Sequence, residues 1–580
     1  SVTVPMSAQS KLVCGPVTAR VLLTQDGAAL DFASCPAPVI EPAIALGEIT
    51  APREVQPGET AAVEVTYAAA IAGRLRAELV DAFDRVVDRA EAVAQTGDER
   101  AASFELTMRE PLSVYHRVVV TALAGETVVD RATSDMFVPR ANAEHLSQFR
   151  LGAGYAAMHV RCSPWLQSAM VDFLRAHGVE AATVNEYMIK RGMMAFGGTI
   201  GGGMAYKGAS NVREPSFCDP AQVQALADRT VEKASAQQHW GFFGFNMTDE
   251  VHLHQSTTVE VDASEHALAA WREWAREHYG TVAAANAEWG TGYANFDELP
   301  VPLLADMVGE TYPARWVDFR LFMERVWADA YIAAQAAVRE RFPDVAMSFT
   351  NPYKYDSLSG SNFALWTPHE QVLLRYCKRH VMDRNHSWSD APILSWFGYR
   401  SDPAQSGNFV WSFALGGGTV AYWWDPVEPW AYGGKEGFTP WNLFGPLWRE
   451  TGRSRPVTAS AEALERGIGK LLRVADPEPP EAMIVHSQPS MHVLYAEAAM
   501  PGGAMSRKGY ERYAASDEAL ARGLMRRAMS YRYTLPENLE ADLAGVRLVA
   551  LPSCVALPDE AVDALRDFVA GGGKLLADVM

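Results

Sequence analysis

Three regions of different periodicity predict a multidomain protein: an N-terminal β-sandwich over residues 1–140, a central (β/α)8 TIM barrel over 141–455, and a flavodoxin-type α/β domain over 456–580. The first region alternates short β-type runs with turn residues. The second alternates strands with amphipathic helices, and the third repeats that alternation on a smaller scale. A chain of 580 residues is also too long for a single hydrophobic core.

In the first region the runs Thr18–Leu23, Ala61–Tyr67, Leu75–Val80, Ala102–Leu106 and Tyr115–Leu123 are punctuated by Pro52, Pro57-Gly58 and Gly125, the pattern of one or two sandwich modules. No catalytic residue combination occurs there, which predicts an accessory role. From Phe149 the barrel units follow. Strand Phe149–Val160 precedes helix Trp165–His177, and strand Val179–Tyr187 leads into a Gly-rich loop. Helix Pro220–Gln238 precedes a strand ending at Glu250, and helices Ala263–Tyr279 and Trp316–Phe342 come next. Strands Val345–Thr350, Gln371–Cys377 and Pro392–Tyr399, helix Asn408–Leu415 and strand Thr419–Asp425 bring the named strands to seven, and eight strands over about 300 residues, the size of one barrel, are expected. In the last region Ala482–His486, helix Asp517–Ser530, strand Val546–Leu551, helix Asp559–Ala570 and strand Lys574–Asp578 predict the doubly wound unit. It stops in mid-sheet, which predicts further chain beyond Met580.

Composition narrows the function. A hydrophobic share of 48%, with 16 Trp, 20 Tyr and 23 Phe, suits a protein that stacks on flat ligand faces, and sugars are the obvious candidates. A formal net charge of −19 argues against nucleic acid and anionic membranes as partners. The six cysteines are scattered without CxxC spacing, so neither a zinc site nor any other cofactor is predicted. Cys14 and Cys35 are read as thiols, with pairing in an oxidising compartment as the alternative. No apolar run reaches membrane-spanning length and the N-terminus lacks a leader pattern, which leaves a soluble protein, cytoplasmic or periplasmic. Ser1 in first place points to a removed leader or initiator Met. Gly197-Gly198-Thr199-Ile200-Gly201-Gly202-Gly203 lacks the lysine and following helix of a phosphate cradle and is read as a mobile loop of the active site.

The most informative stretch is Gly241-Phe242-Phe243-Gly244-Phe245-Asn246-Met247-Thr248-Asp249-Glu250, an apolar strand that runs into two carboxylates and then Val251-His252-Leu253-His254. Acids at a strand exit must reach a cleft or water, because an unpaired buried carboxylate is too costly to desolvate. In a β/α barrel that exit is the catalytic face. The bland alternative is that Asp249 caps the next segment while Glu250 faces solvent. Asp425, at the end of Val420-Ala421-Tyr422-Trp423-Trp424, is the second acid in such a position, with a sugar-hydroxyl acceptor as its other reading. Glu186, beside Asn185, is a third convergent acid, for which substrate binding is the better role. Substrate contacts are further expected from Asn185, Asp249, His252 and Tyr376, and from Trp366, Trp396, Trp423 and Trp424 as stacking faces. His252 and His254 also share one face of an extended segment, but without a third ligand they define no metal site.

Three segments carry a family resemblance. Leu268 to Thr281, ending in Tyr279-Gly280-Thr281, and then Asn286-Ala287-Glu288-Trp289-Gly290-Thr291, resemble the helix and "YGT…LN.AWGT" segment of the family 42 glycoside hydrolases, β-galactosidase-like members of the retaining TIM-barrel clan. Leu557-Pro558-Asp559-Glu560 with Phe568 to Lys574 is similar to that family's amidotransferase-like trimerisation domain. The resemblance covers about residues 145–580 and implies that Glu250 is the general acid/base, with Asp249 where the family has Asn. It also implies a homotrimer. One departure is plain: at the seventh strand, where the family has its nucleophilic Glu, the chain reads Pro392-Ile393-Leu394-Ser395-Trp396-Phe397-Gly398-Tyr399-Arg400-Ser401-Asp402. Retention needs a second carboxylate about 5 Å from the first, and inversion one at roughly 6.5–9.5 Å. Asp425 or Tyr399 fills the second role in this reading, tyrosine being the nucleophile in sialidases. A hydrolase of oligo- or polysaccharides is thus expected. A polysaccharide lyase with a Tyr or His base and a cradle from Arg400, Lys207 or Arg375 is the first alternative, and a non-catalytic sugar-binding scaffold the second.

Overall fold

A computed structural model describes residues 17–25, 28–37, 42–138, 148–154, 164–183, 186–201, 210–237, 244–249, 252–253, 260, 262–307, 313–350, 357–376, 378–397, 405–423, 443–445, 448–498 and 508–578. The chain divides into two compact units, one of residues 1–140, 185–195 and 237–242, the other of the remainder.

In the first unit, Ile44–Thr50, Thr60–Ala69 and Gly97–Thr107 form a three-stranded antiparallel sheet. Val86–Ala94, Gly73–Asp81, Tyr115–Ala124 and Thr127–Phe137 form a four-stranded one in that order. Strict alternation drives this: along Thr60–Ala69 the odd-numbered Ala61, Val63, Val65 and Tyr67 are buried while Thr60, Glu64 and Thr66 are exposed. Val63 and Val65 share one core with Leu75, Leu79, Val118 and Val120 of the other sheet. Val17–Gln25 and Ala28–Ala37 pair as a separate hairpin. Its second strand, Ala-rich and short of β-branched residues, gives little signal in the sequence.

The second unit is built on eight parallel strands: β1 Arg150–Ala153, β2 Val179–Thr183, β3 Met194–Thr199, β4 Gly244–Asp249, β5 Ala346–Thr350, β6 Leu373–Tyr376, β7 Ile393–Phe397 and β8 Gly418–Trp423. Their order in the sheet is β5-β4-β3-β2-β1-β8-β7-β6, so each strand neighbours its sequence neighbours and β8 returns to β1. That is the cyclic order of a (β/α)8 fold. Between β5 and β6 the described residues contain no regular ladder. The gap is bridged instead by the Gln371 N–H on the Met347 carbonyl at 3.2 Å and by side chains. Met347 N–H donates to Gln371 Oε1 at 3.2 Å and Phe349 N–H to Glu370 Oε1 at 2.7 Å. Arg375 Nη1 donates to the Phe349 carbonyl at 2.7 Å and is ion-paired with Glu370, both groups being fully buried.

Two sequence expectations change here. Gly197, Gly198 and Thr199 lie within β3 and not in a loop; two glycines with no side chain to alternate conceal a strand whose Phe196 is buried. The second strand stops at Thr183, and Glu186–Ile189 is one turn of helix.

Toward the C-terminus, Tyr531–Thr534, Ala482–Val485, Leu548–Pro552 and Lys574–Asp578 form a four-stranded parallel sheet in that order, flanked by helices Gln488–Glu497, Lys508–Arg526 and Asp559–Ala570. Its first helix is tied to the long helix Ala314–Arg341 by Gln488 Nε2, which donates to the buried Glu324 carboxylate at 2.6 Å. No helix among the described residues is long and apolar enough to cross a membrane.

Candidate active site

The strand exit singled out by sequence is β4. Phe245 and Met247 are fully buried on one face, and Asn246 and Thr248 occupy the other. Asn246 ties three strands together: its Oδ1 accepts the Thr350 N–H of β5 at 3.0 Å and its Nδ2 donates to Thr199 Oγ1 of β3 at 3.5 Å. Asp249 ends the strand, exposed and opposite Thr350. Beyond it His252 and Leu253 are buried again. The Leu253 N–H donates to the Ser359 carbonyl at 2.9 Å, and its own carbonyl accepts from Arg213 Nη1.

Of the predicted residues, Glu250, Tyr399, Asp425, Asn185 and Trp424 lie outside the described residues. The strands that lead to them are described. Phe397 of β7 and Ala153 of β1 both stand opposite Trp423 of β8, so three strand ends are level. Trp396 lies opposite Tyr376 of β6 and Tyr422 of β8, and the Tyr376 side chain is half-buried. Trp423 is 1% exposed and belongs to the core.

Trp366 also departs from its expected role as a stacking face. It is 2% exposed, with ring centroids 4.8 Å from Trp327 and 4.3 Å from Phe349, because the turn Phe363–Trp366 follows β5 inward onto the long helix. Glu186 is exposed and paired with Lys190 at 2.7 Å, which also reaches Asp135 at 2.7 Å within the first unit. Arg375, a candidate for a uronate cradle, is committed to Glu370 at the β5–β6 seam. Burial pushes the Glu370 carboxyl up while Arg375 pulls it down. Among the described residues no three His, Cys, Asp or Glu side chains converge as a metal site.

The family-like segment behind β4 is a capping and anchoring device. Helix Glu265–Tyr279 starts at Ser264, whose hydroxyl accepts the Ala267 N–H, and ends at Gly280 with φ 66°. Thr281 caps Val282–Trp289, which ends at Gly290, again with φ 66°. Asn286 holds the turn that follows: its Oδ1 accepts from Thr291 Oγ1 at 2.8 Å and from the Tyr293 N–H at 3.0 Å. Trp289 Nε1 donates to Asp318 Oδ2 at 2.7 Å, and Tyr279 Oη donates to the same carboxylate from the preceding helix end. Sequence reasoning missed Asp318 and Arg213, since a lone polar residue within an amphipathic helix or an aperiodic loop carries no signal of its partner.

The glycoside hydrolase family 42 β-galactosidase model matches residues 223–381, which run from the helix before β4 to beyond β6. A β-galactosidase of Arthrobacter sp. is 30% identical over 114 residues, 19% of this chain and only 16% of that protein's length. Among solved structures, the β-galactosidase of the haloarchaeon Halorubrum lacusprofundi superposes with a TM-score of 0.55 at 16% identity, covering 74% of this chain and 72% of that one. The cold-adapted β-galactosidase of Rahnella sp. R3 gives 0.56 at 13% identity, over 74% and 71%. At these identities the likeness is one of fold, a TIM barrel with further domains. Family model, curated relative and fold agree in their direction, and the chain is similar to the glycoside hydrolase family 42 proteins.

Proposed function

We propose that the protein hydrolyses glycosidic bonds of oligo- or polysaccharides, with Glu250 as general acid/base and an unusual second residue, Asp425 or Tyr399. The observation that supports this most is that the residues matched by the family model include β4, whose exposed last residue Asp249 directly precedes Glu250. An acid at this edge of a (β/α)8 sheet can reach the oxygen of a leaving group. β-Galactosides are the first substrates to test, since the relatives are described as β-galactosidases. A homotrimer goes with this reading, and a monomeric mass by light scattering overturns that part of it.

In the test, Glu250→Gln lowers turnover of phenyl or alkyl glycosides by about 10²–10⁴-fold while the circular dichroism spectrum stays unchanged. Near-normal turnover removes Glu250 from the mechanism. With Asp425 as a base activating water, the first-formed product has the inverted anomeric configuration by NMR, and Asp425→Asn loses more rate than Tyr399→Phe. Retention together with an inactive Tyr399→Phe variant assigns the role to the tyrosine.

A further inference from the structure

We propose that a cavity at the amino ends of β7 and β8 is a second glycan-binding site, taking a neutral di- or trisaccharide stretch of the substrate. This rests on the protein being carbohydrate-active and not on which residue is the acid/base. The cavity has a volume of about 590 Å³. Asp390 and Gly417 line it and stand just before Ile393 of β7 and Gly418 of β8, so it lies at the end of the eight-stranded sheet opposite the strand exits.

Its far wall is residues 475–478, which lead to the C-terminal sheet, together with Tyr531 and Arg532 of that sheet. The two sides are fastened to each other. Asp383 of helix Arg379–Trp388 accepts Arg379 Nε at 2.7 Å and the Tyr531 hydroxyl, and Ser387 Oγ accepts the Tyr533 N–H at 2.8 Å. The Ser530 hydroxyl donates to the Pro479 carbonyl at 2.8 Å, which pins the connecting segment. The walls are thus built before any ligand arrives, and binding need not order them.

The charges of the lining select the ligand. Arg379 is offset by Asp383. Among the described residues no ion pair is formed by the side chains of Arg473, Arg532, Asp390, Asp476 or Glu478, and Arg473 Nη2 donates only to the Asp390 carbonyl, at 3.3 Å. Burial first, and then Arg473, push the His386 pKa down, so its imidazole adds no charge at neutral pH. An anion would meet three carboxylates and a cation two guanidiniums. A neutral polyhydroxylated ligand suits both, since hydroxyls donate to carboxylates and accept from guanidiniums. Tyr531, Met525 and Met529 add an apolar face for the C–H groups of a sugar ring. The volume is in the range that encloses a drug-sized ligand, about two or three hexose rings. Glycan held here leaves the strand exits free, and tethering one stretch of a polymer raises the local concentration of the rest.

The experiment is isothermal titration calorimetry on the full chain with galactobiose, cellobiose and mannobiose whose bridging oxygen is replaced by sulfur, so that they resist hydrolysis. Ala475→Trp places an indole in the cavity from an exposed position, and Arg473→Met removes a donor while keeping its stem. The parent is expected to bind at least one of the three disaccharides at a site that Ala475→Trp loses and that Arg473→Met weakens by about 10-fold or more. Both variants hydrolyse phenyl glycosides at the parent's rate. Equal binding, or none, of every disaccharide by the parent and by folded Ala475→Trp overturns the site. Inorganic phosphate or spermidine bound by the parent and lost in both variants overturns the neutral ligand. Failure of the parent to hydrolyse any phenyl glycoside overturns the hydrolase reading alone, because the calorimetry needs no turnover.

Discussion

A carboxylate that receives two aromatic donors at once holds two helices to a third. Asp318 does this for Tyr279 and Trp289, the aromatic members of the Tyr-Gly-Thr and Trp-Gly-Thr triplets. Burial raises its pKa while both donors favour its charged form. Glu465 shows the same tension at the start of the barrel, where it accepts the Leu151 N–H of β1 at 3.0 Å. Burial pushes its carboxyl up to about 7, against the smaller pull of that N–H and of Arg150. Between the ordinary carboxylate value and about 7 the folded state therefore holds a proton that the unfolded chain releases, and stability falls as pH rises through that window. Glu465→Gln keeps an acceptor for Leu151 without the titration. Urea unfolding is expected to find it more stable than the parent at pH 8, with the difference gone at pH 4. At this scale the sequence disclosed Asp249 as an exposed strand-end acid, since apolar residues running into charge are visible locally. It disclosed Trp366 wrongly, because aromatic content alone does not tell a core ring from a cleft ring.

The helix expected over Ala263–Tyr279 falls within two residues of Glu265–Tyr279, whereas Val282–Trp289 was not expected and the helix expected over Asp517–Ser530 is Lys508–Arg526. Glu265–Tyr279 and Val282–Trp289 begin at Ser264 and Thr281 and stop at glycines, the residue types those positions require. Gly280 stands at φ 66° with open space where a Cβ would be, so Gly280→Ala meets backbone strain but no clash. A loss of about 1 kcal/mol is expected, read as a lower urea midpoint at unchanged slope. Strand β3 was concealed for the reason already given: glycines erase alternation. Helix Arg379–Trp388 was missed because seven of its ten residues are polar, charged or histidine in the run RHVMDRNHSW, while its buried face includes Arg384 and Asn385. Polar groups that are buried by pairing are invisible to a hydrophobic pattern.

At the largest scale the alternation of strands and helices was legible, because successive β-then-α units leave few alternatives to a parallel sheet in cyclic order. What the pattern could not reveal is how β5 is tied to β6. Glu370 and Arg375 stand there in place of regular backbone pairing, and removing one partner strands a buried charge. Glu370→Ala is expected to cost about 3–5 kcal/mol in urea unfolding, whereas joint replacement of both residues by Met recovers part of that loss.

The same seam makes two backbone amides dependent on side chains. Met347 and Phe349 donate to Gln371 and Glu370 rather than to a neighbouring strand's carbonyls. In heavy water the deuterium uptake of β5 should thus follow the identity of residues 370 and 371, and Glu370→Ala should speed labelling at Phe349 while amides of β8, laddered on both sides, keep their slow exchange. A junction fastened by side chains in this way is a built-in parting line between β5 and β6, and isotope exchange can time how often it opens.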